Sequence, residues 1–275
     1  MSGRRSWGPI VERARAIVES YDTPVTLRQL FYRLVAAQVL RNTRSDYSQL
    51  SDHTADARRE GMFPDLLDNT RDIHRAVAWS SPEEALADLR GQYRRDRTEG
   101  QEHTVYIGVE KAGMVAQLTS WFSDRGLPVL ALSGYASQTY VKDVQTDIAT
   151  QGRPAVLLYA GDFDASGEDI FRDFVARVGC FDEVQLVALT PEQVKSYKLP
   201  TALGKQTDTR AKKFIAQHGG LMQVELDALA PDVLRELYED ALARFLDTST
   251  MNDVIQRERE DRAALARLQK ELGAR

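Results

Sequence analysis

The spacing of apolar positions changes once along this chain. Up to about residue 100 they recur at helical intervals; beyond it they gather in short unbroken runs with helical stretches between them. Ile10 to Tyr21 forms one periodic segment. A second opens on a strong start signal, because Thr26 and Gln29 fit a capping box with Val25 and Leu30 as its hydrophobic staple. Leu27, Leu30, Phe31, Leu34 and Ala37 then make a stripe that must be buried. A third helix is predicted over Tyr47 to Arg59, ending near Gly61, and Met62-Phe63-Pro64 starts an extended stretch. Three short helices followed by extended chain predict a winged-helix-like DNA-binding domain over residues 1–80. Ser81-Pro82-Glu83-Glu84 opens a further helix, and the polar run from Arg94 to His103, with Gly100 in it, completes a helical linker over 81–103.

Thr104 to Val109, Pro128 to Leu132, Ala155 to Ala160 and Val184 to Leu189 read as strands, separated by helical patterns that start near Ala112, Ser137 and Ser166. Such alternation predicts an α/β fold with a parallel sheet faced by helices, whose ligands gather beyond the carboxyl ends of the strands. This domain with its extension is assigned to residues 104–250. Thr190-Pro191-Glu192 starts a helix in it, and Pro231 to Phe245 is amphipathic. Residues 251–275 form a charged terminal helix, expected to be exposed and to fray.

Charge narrows the field. The chain of 275 residues carries a formal net charge of −5, which argues against a protein that coats nucleic acid over its whole surface. Residues 1–103 hold 16 Arg, no Lys and 16 acidic residues, so the acidic excess lies in the second part. Arg4-Arg5, Arg41/Arg44, Arg58-Arg59 and Arg94-Arg95-Arg97 are candidates for phosphate contacts, with solvated surface as the plainer reading; Lys205 to Lys213 is a second basic stretch. A single cysteine, Cys180, rules out an internal disulfide framework, and no apolar run or signal peptide points to a membrane. An intracellular, cytoplasmic location is expected.

The chemistry concentrates at Gly161-Asp162-Phe163-Asp164-Ala165-Ser166-Gly167, where an apolar strand runs into two carboxylates one residue apart. Two anions on a strand-to-helix turn can converge on one hard cation, and magnesium or manganese is the metal expected. Gly161 and Gly167 are read as supplying the freedom for a sharp exit. Two plainer readings stand beside this one: Asp162 and Asp164 as helix caps, and a calcium loop through Asp162, Asp164, Ser166, Gly167 and Asp173. The calcium loop would need a helix before it, where the sequence predicts a strand. Glu110 ends the first strand as Asp162 follows the third, so two strand ends bring Glu110, Asp162 and Asp164 to one edge; Lys111 reads either as a surface ion partner of Glu110, the plainer reading, or as part of the functional group.

A Glu at the end of one strand followed by Asp-x-Asp-x-x-Gly after a later one resembles the Toprim domain of topoisomerases, primases and related nucleases, over roughly Thr104 to Leu189. A helical DNA-docking domain ahead of it is similar to the A subunit of type IIB topoisomerases and the related meiotic double-strand-break transesterase, in a compact stand-alone form. Thr26-Leu27-Arg28-Gln29-Leu30-Phe31-Tyr32 resembles the segment that carries the nucleophilic tyrosine of that family, at the position of Tyr32. The resemblance implies double-stranded DNA as substrate, a homodimer in which the tyrosine of one protomer meets the metal site of the other, and a separate ATPase subunit, since no ATPase is recognised in this chain. It implies Glu110, Asp162 and Asp164 as metal ligands, with Glu110 also a general acid or base. Arg28 and Arg33 would assist the phenol, which needs help because its ordinary pKa is about 10. Tyr140 stands where the family has an arginine, and Lys142 is its candidate replacement. The alternatives are a Toprim hydrolytic nuclease, in which water attacks and Tyr32 only packs, and a non-catalytic DNA-binding or partner-binding protein.

Overall fold

The computed structural model describes residues 6–21, 24–67, 76–203 and 209–273. In chain order the helices and strands are α1 (Gly8–Glu19), α2 (Leu27–Ala36), α3 (Arg44–Arg59), α4 (Pro82–Gln92), β1 (Thr104–Val109), α5 (Val115–Phe122), β2 (Val129–Ala131), α6 (Gln138–Gln151), β3 (Ala155–Ala160), α7 (Ala165–Val178) and β4 (Glu183–Ala188). There follow α8 (Pro191–Ser196), β5 (Ala202–Leu203), α9 (Ala211–His218), β6 (Met222–Gln223), α10 (Pro231–Leu242) and α11 (Thr248–Gly273). The fold is α/β.

Four strands form an all-parallel sheet in the order β2-β1-β3-β4. Every residue of the central strands β1 and β3 is buried, as their unbroken apolar composition requires of strands covered on both faces. Alternate side chains feed two cores. Val105, Ile107, Val109, Val156, Leu158 and Ala160 join the larger core with α5 and α10, while Tyr106, Leu157 and Tyr159 join the other with α6 and α7. Tyr238 of α10 is fully buried, and its hydroxyl donates to the Gly108 carbonyl at 2.7 Å, which ties that helix to β1. In register, Val109 lies beside Ala160, so the chain leaves β1 at Glu110 and β3 at Gly161 side by side.

The first three helices enclose a core of their own, including Ile10, Leu30, Phe31, Leu34, Leu50 and Phe63. The predicted capping box is present in full: Gln29 N–H donates to Thr26 Oγ1, and Thr26 N–H donates to Gln29 Oε1 at 2.8 Å. Helix α3 begins three residues earlier than expected, at Arg44, because the Thr43 hydroxyl caps it by accepting Asp46 N–H. The extended stretch after α3 makes one parallel bridge, Thr26 to Leu67, and no hairpin is formed among the described residues up to 67. Residues 68–75, where a wing would follow, lie outside the described residues, as do Arg4, Arg5 and Lys205.

The terminal segment departs from expectation. It is a continuous helix that lies along α4 rather than a frayed tail, and it is tied down by charge. Glu258, 1 % exposed, accepts from the Arg95 backbone N–H at 3.1 Å and from Arg97 Nη2 at 2.9 Å, and Asp261 accepts from Arg95 Nε at 2.6 Å and from the Tyr93 hydroxyl. Arg95 and Arg97 thereby face carboxylates of the terminal helix, and the buried Glu258 is paired by Arg97. The Arg97 guanidinium holds Glu258 below the ordinary glutamate value. The stabilisation is therefore complete above the ordinary value of 4.5 and is lost as pH falls below it toward the lowered native value. Glu258→Gln should lower stability at neutral pH by about 1–3 kcal/mol and flatten the loss below about pH 4.5, as read from urea unfolding midpoints at pH 7 and pH 4.

Candidate functional site

The carboxylate turn is built on Phe163. Its ring is 2 % exposed and packs on Phe214 and His218, and its backbone pairs with Val224 as an antiparallel bridge, Phe163 N to Val224 O at 2.9 Å and the reverse at 3.1 Å. In extended backbone, residues on either side of an inward ring share the opposite face. Asp162 and Asp164 are therefore turned out together at the carboxyl edge of the sheet. Glu110 joins them: its Oε2 accepts Asp162 N–H at 2.8 Å.

The two aspartates differ in duty. Asp164 caps α7, with Oδ1 accepting the N–H groups of Ser166 at 2.9 Å and Gly167 at 2.7 Å. The capping reading thus holds for Asp164, through one oxygen. Asp162 is not a cap; its Oδ1 accepts Leu226 N–H at 2.7 Å and its Oδ2 lies 2.6 Å from Lys111 Nζ. A strand precedes the turn and Asp173 pairs with Arg177, so the calcium-loop alternative has neither its helix nor its fifth ligand.

The turn's glycines act differently from the expectation. Neither Gly161 nor Gly167 has positive φ; what matters is the missing Cβ. A Cβ on Gly161 would collide with the Tyr159 hydroxyl, and one on Gly167 would stand 2.7 Å from the Asp162 carbonyl oxygen and 3.0 Å from Glu110 Oε2. Gly167→Ala should therefore force the Asp162 carbonyl and the Glu110 carboxylate to shift, with a stability loss of about 1–3 kcal/mol read from urea unfolding midpoints.

Lys111 is not the surface partner of Glu110. It turns across the site, is 16 % exposed, bonds Asp162 and Glu225, and lies 3.8 Å from Asp227 Oδ2. Burial would lower its pKa, but Asp162, Asp227 and Glu225 outweigh that and raise it. The Asp162 carboxyl is raised well above the ordinary aspartate range, first by burial and then by Glu110 and Glu225, with Lys111 opposing. Glu110 is raised too, mainly by burial.

Glu225 and Asp227 were not identified from the sequence. They come from the segment that pairs with Phe163, over 60 residues further along the chain. Val224 bridges Phe163 and a single 3-10 turn follows at Leu226–Ala228, so the apolar-acidic alternation of Val224-Glu225-Leu226-Asp227-Ala228 does not mark a strand and gave no usable signal. Arg28 Nη2 lies 2.6 Å from Glu225 Oε2 and Arg28 Nε 2.9 Å from Asp227 Oδ2, so the helical unit is ionically joined to this segment. Arg28 also lies over the Tyr32 ring, 5.5 Å from its centroid, as their one-turn spacing on α2 predicts. Arg33 instead donates to the Ala228 carbonyl at 3.3 Å.

Tyr32 packs against both the helical core and the larger sheet core. Burial and the nearby Glu225 carboxylate push its phenol up to about 12, against the pull of Arg28 and Lys111. It lines a depression of about 220 Å³ with Arg28, Asn42, Arg44 and Tyr47. Beside this, a cavity of about 690 Å³ is lined by Arg28, Tyr47, Arg58, Glu110, Lys111 and Asp227, among others. Tyr140 packs on Phe174, and Lys142 is exposed on α6.

Hard oxygen donors are what a divalent cation needs, and Glu110, Asp162 and Asp164 supply them. The Tyr159 hydroxyl, 2 % exposed against Gly161, has no hydrogen-bond partner, an orphan of the kind that a further group at the turn would satisfy. The donor chemistry thus fits the metal. Among the described residues, no group of three or more His, Cys, Asp or Glu is gathered in ligand geometry; the Lys111 ammonium stands among Asp162, Glu225 and Asp227. Nor is any helix of the described residues long and apolar enough to cross a membrane. No protein-family model matches this chain, and a search of the curated proteins found no match.

Proposed function

We propose that this chain binds and cleaves double-stranded DNA as a metal-dependent transesterase of the Toprim class, similar to the A subunit of type IIB topoisomerases. The observation that carries the reading is the meeting of Glu110, Asp162 and Asp164 at the carboxyl edge of a parallel sheet, with Tyr32 and Arg28 of the helical unit folded against the same edge. The first helices serve as a winged-helix-like docking unit. The protein works as a cytoplasmic homodimer, with a separate ATPase subunit where strand passage is required.

Magnesium or manganese held by Glu110, Asp162 and Asp164 would neutralise charge on the scissile phosphate. Tyr32 Oη forms a bond to phosphorus while the bond from phosphorus to a sugar oxygen breaks. The phenolic proton passes to a base, and the departing sugar oxygen takes up a proton, so the proton count is unchanged. Arg28 steadies the phenol through its ring and holds Glu225 beside it; Glu110 serves as general acid or base.

The hydrolytic alternative draws on one observation, that Tyr32 is seated between two cores with its phenol pushed up to about 12. Supercoiled plasmid incubated with the protein and magnesium or manganese, then resolved with and without protease, separates the readings. Protein-linked ends support transesterification; protein-free ends support hydrolysis. Binding without cleavage under either metal would leave a DNA-binding or partner-binding protein.

A further inference from the structure

Lys111 places a cation at the point where the carboxylates converge, and its surroundings are built to hold it. An exposed lysine gains little from one ion pair, but one held at 16 % exposure against three carboxylates is fixed by charge that has few other partners. Arg28 takes the same two acids, Glu225 and Asp227, from the side of the helical unit. Glu110, Asp162, Asp164, Glu225 and Asp227 thus stand at one edge against two cations, Lys111 and Arg28, an excess of negative charge that a divalent ion would reduce. The unpartnered Tyr159 hydroxyl beside Gly161 is independent of this count and also marks the turn as incomplete.

We propose that Lys111 is an exchangeable internal counter-cation, holding Asp162 and Glu225 together in the ion-free protein and giving up its place among them when a divalent metal binds. This inference rests on the metal reading given under Proposed function. The exchange makes and breaks no covalent bond. Lys111 lines the 690 Å³ cavity with Arg28 and Arg58, so a released ammonium would stay beside both, where a DNA phosphate would meet all three. Metal loading therefore converts Lys111 from a clamp on the carboxylates into a phosphate contact, and the shared acids transmit the change to Arg28 and helix α2.

The test titrates Mn2+ alone into the full chain, by calorimetry and by the resonance signal of the free ion, for wild type, Lys111→Met, Lys111→Gln and Asp162→Asn. Removing the competitor should tighten Mn2+ binding by about tenfold or more. Both lysine variants should also melt lower than wild type in chelator and gain more from Mn2+. The glutamine variant keeps a polar group in the pocket should the methionine variant fail to fold. Lysine variants that bind no tighter than wild type, with binding still weakened in Asp162→Asn, would overturn the exchange and leave the metal site standing. Failure of wild type and all variants to bind Mn2+ would remove the metal reading, and the exchange with it.

Discussion

Tyr32→Phe should abolish the covalent protein-DNA adduct while leaving the fold and DNA binding in place. On the proposed reading the reaction falls by about 10³-fold or more. The phenylalanine keeps the ring that packs against both cores and the guanidinium of Arg28 above it, so the stability change should stay within about 1 kcal/mol. The adduct is counted by protease-sensitive mobility of plasmid cleaved with Mn2+. Cleavage that survives in Tyr32→Phe with protein-free ends would transfer the reaction to water. Mixing Tyr32→Phe with Asp162→Asn adds a second answer. If the tyrosine of one protomer serves the metal site of its partner, mixed dimers regain one working centre and nick the plasmid. If each chain uses its own site, they regain none.

Asp162→Asn should stop metal-dependent cleavage, by about 10²–10⁴-fold. The Asn oxygen can still accept Leu226 N–H, but the charge facing Lys111 is gone, and Lys111 keeps Glu225 and Asp227 as partners. Because burial, Glu110 and Glu225 raise Asp162 against the pull of Lys111, its ionised form is already disfavoured in the fold, so the lost pairing is largely offset and the net loss should stay under about 1 kcal/mol. Urea midpoints in chelator measure that loss, and the absence of a melting-point rise with Mn2+ measures the loss of the ion. Intact cleavage in Asp162→Asn would place the chemistry elsewhere. Asp162→Asn and the Lys111 variants should move Mn2+ affinity in opposite directions, since one removes a ligand and the others a competitor.

Much of this was legible because it is local. The capping box at Thr26 and Gln29 is a four-residue matter, and both hydrogen bonds are present. The unbroken apolar runs of β1 and β3 required burial on both faces, and the two strand ends followed from it. Helix ends were less legible, as at Arg44, where a Thr43 cap went unread. In the Arg94-Arg95-Arg97 run composition did not show what faces the guanidinium groups: Arg95 and Arg97 meet Asp261 and Glu258, more than 160 residues away. The surface pairing of Lys111 with Glu110 was one of two readings, and the structure instead pairs Lys111 with Asp162 and Glu225.

The sequence by itself determined the helical first part, the parallel α/β sheet and the delivery of Glu110, Asp162 and Asp164 to one edge. Those follow from periodicity and strand ends, which are short-range properties of the chain. Only the tertiary structure decided that Glu225 and Asp227 join them, that Lys111 and Arg28 neutralise part of that charge, and that Tyr32 is seated between two cores with its phenol pushed up. The acidic pair reaches the site through the pairing of Phe163 with Val224, a contact across 61 residues fixed by burial of the Phe163 ring, and Tyr32 through the packing of its helix on both cores, and neither is a short-range property of the chain.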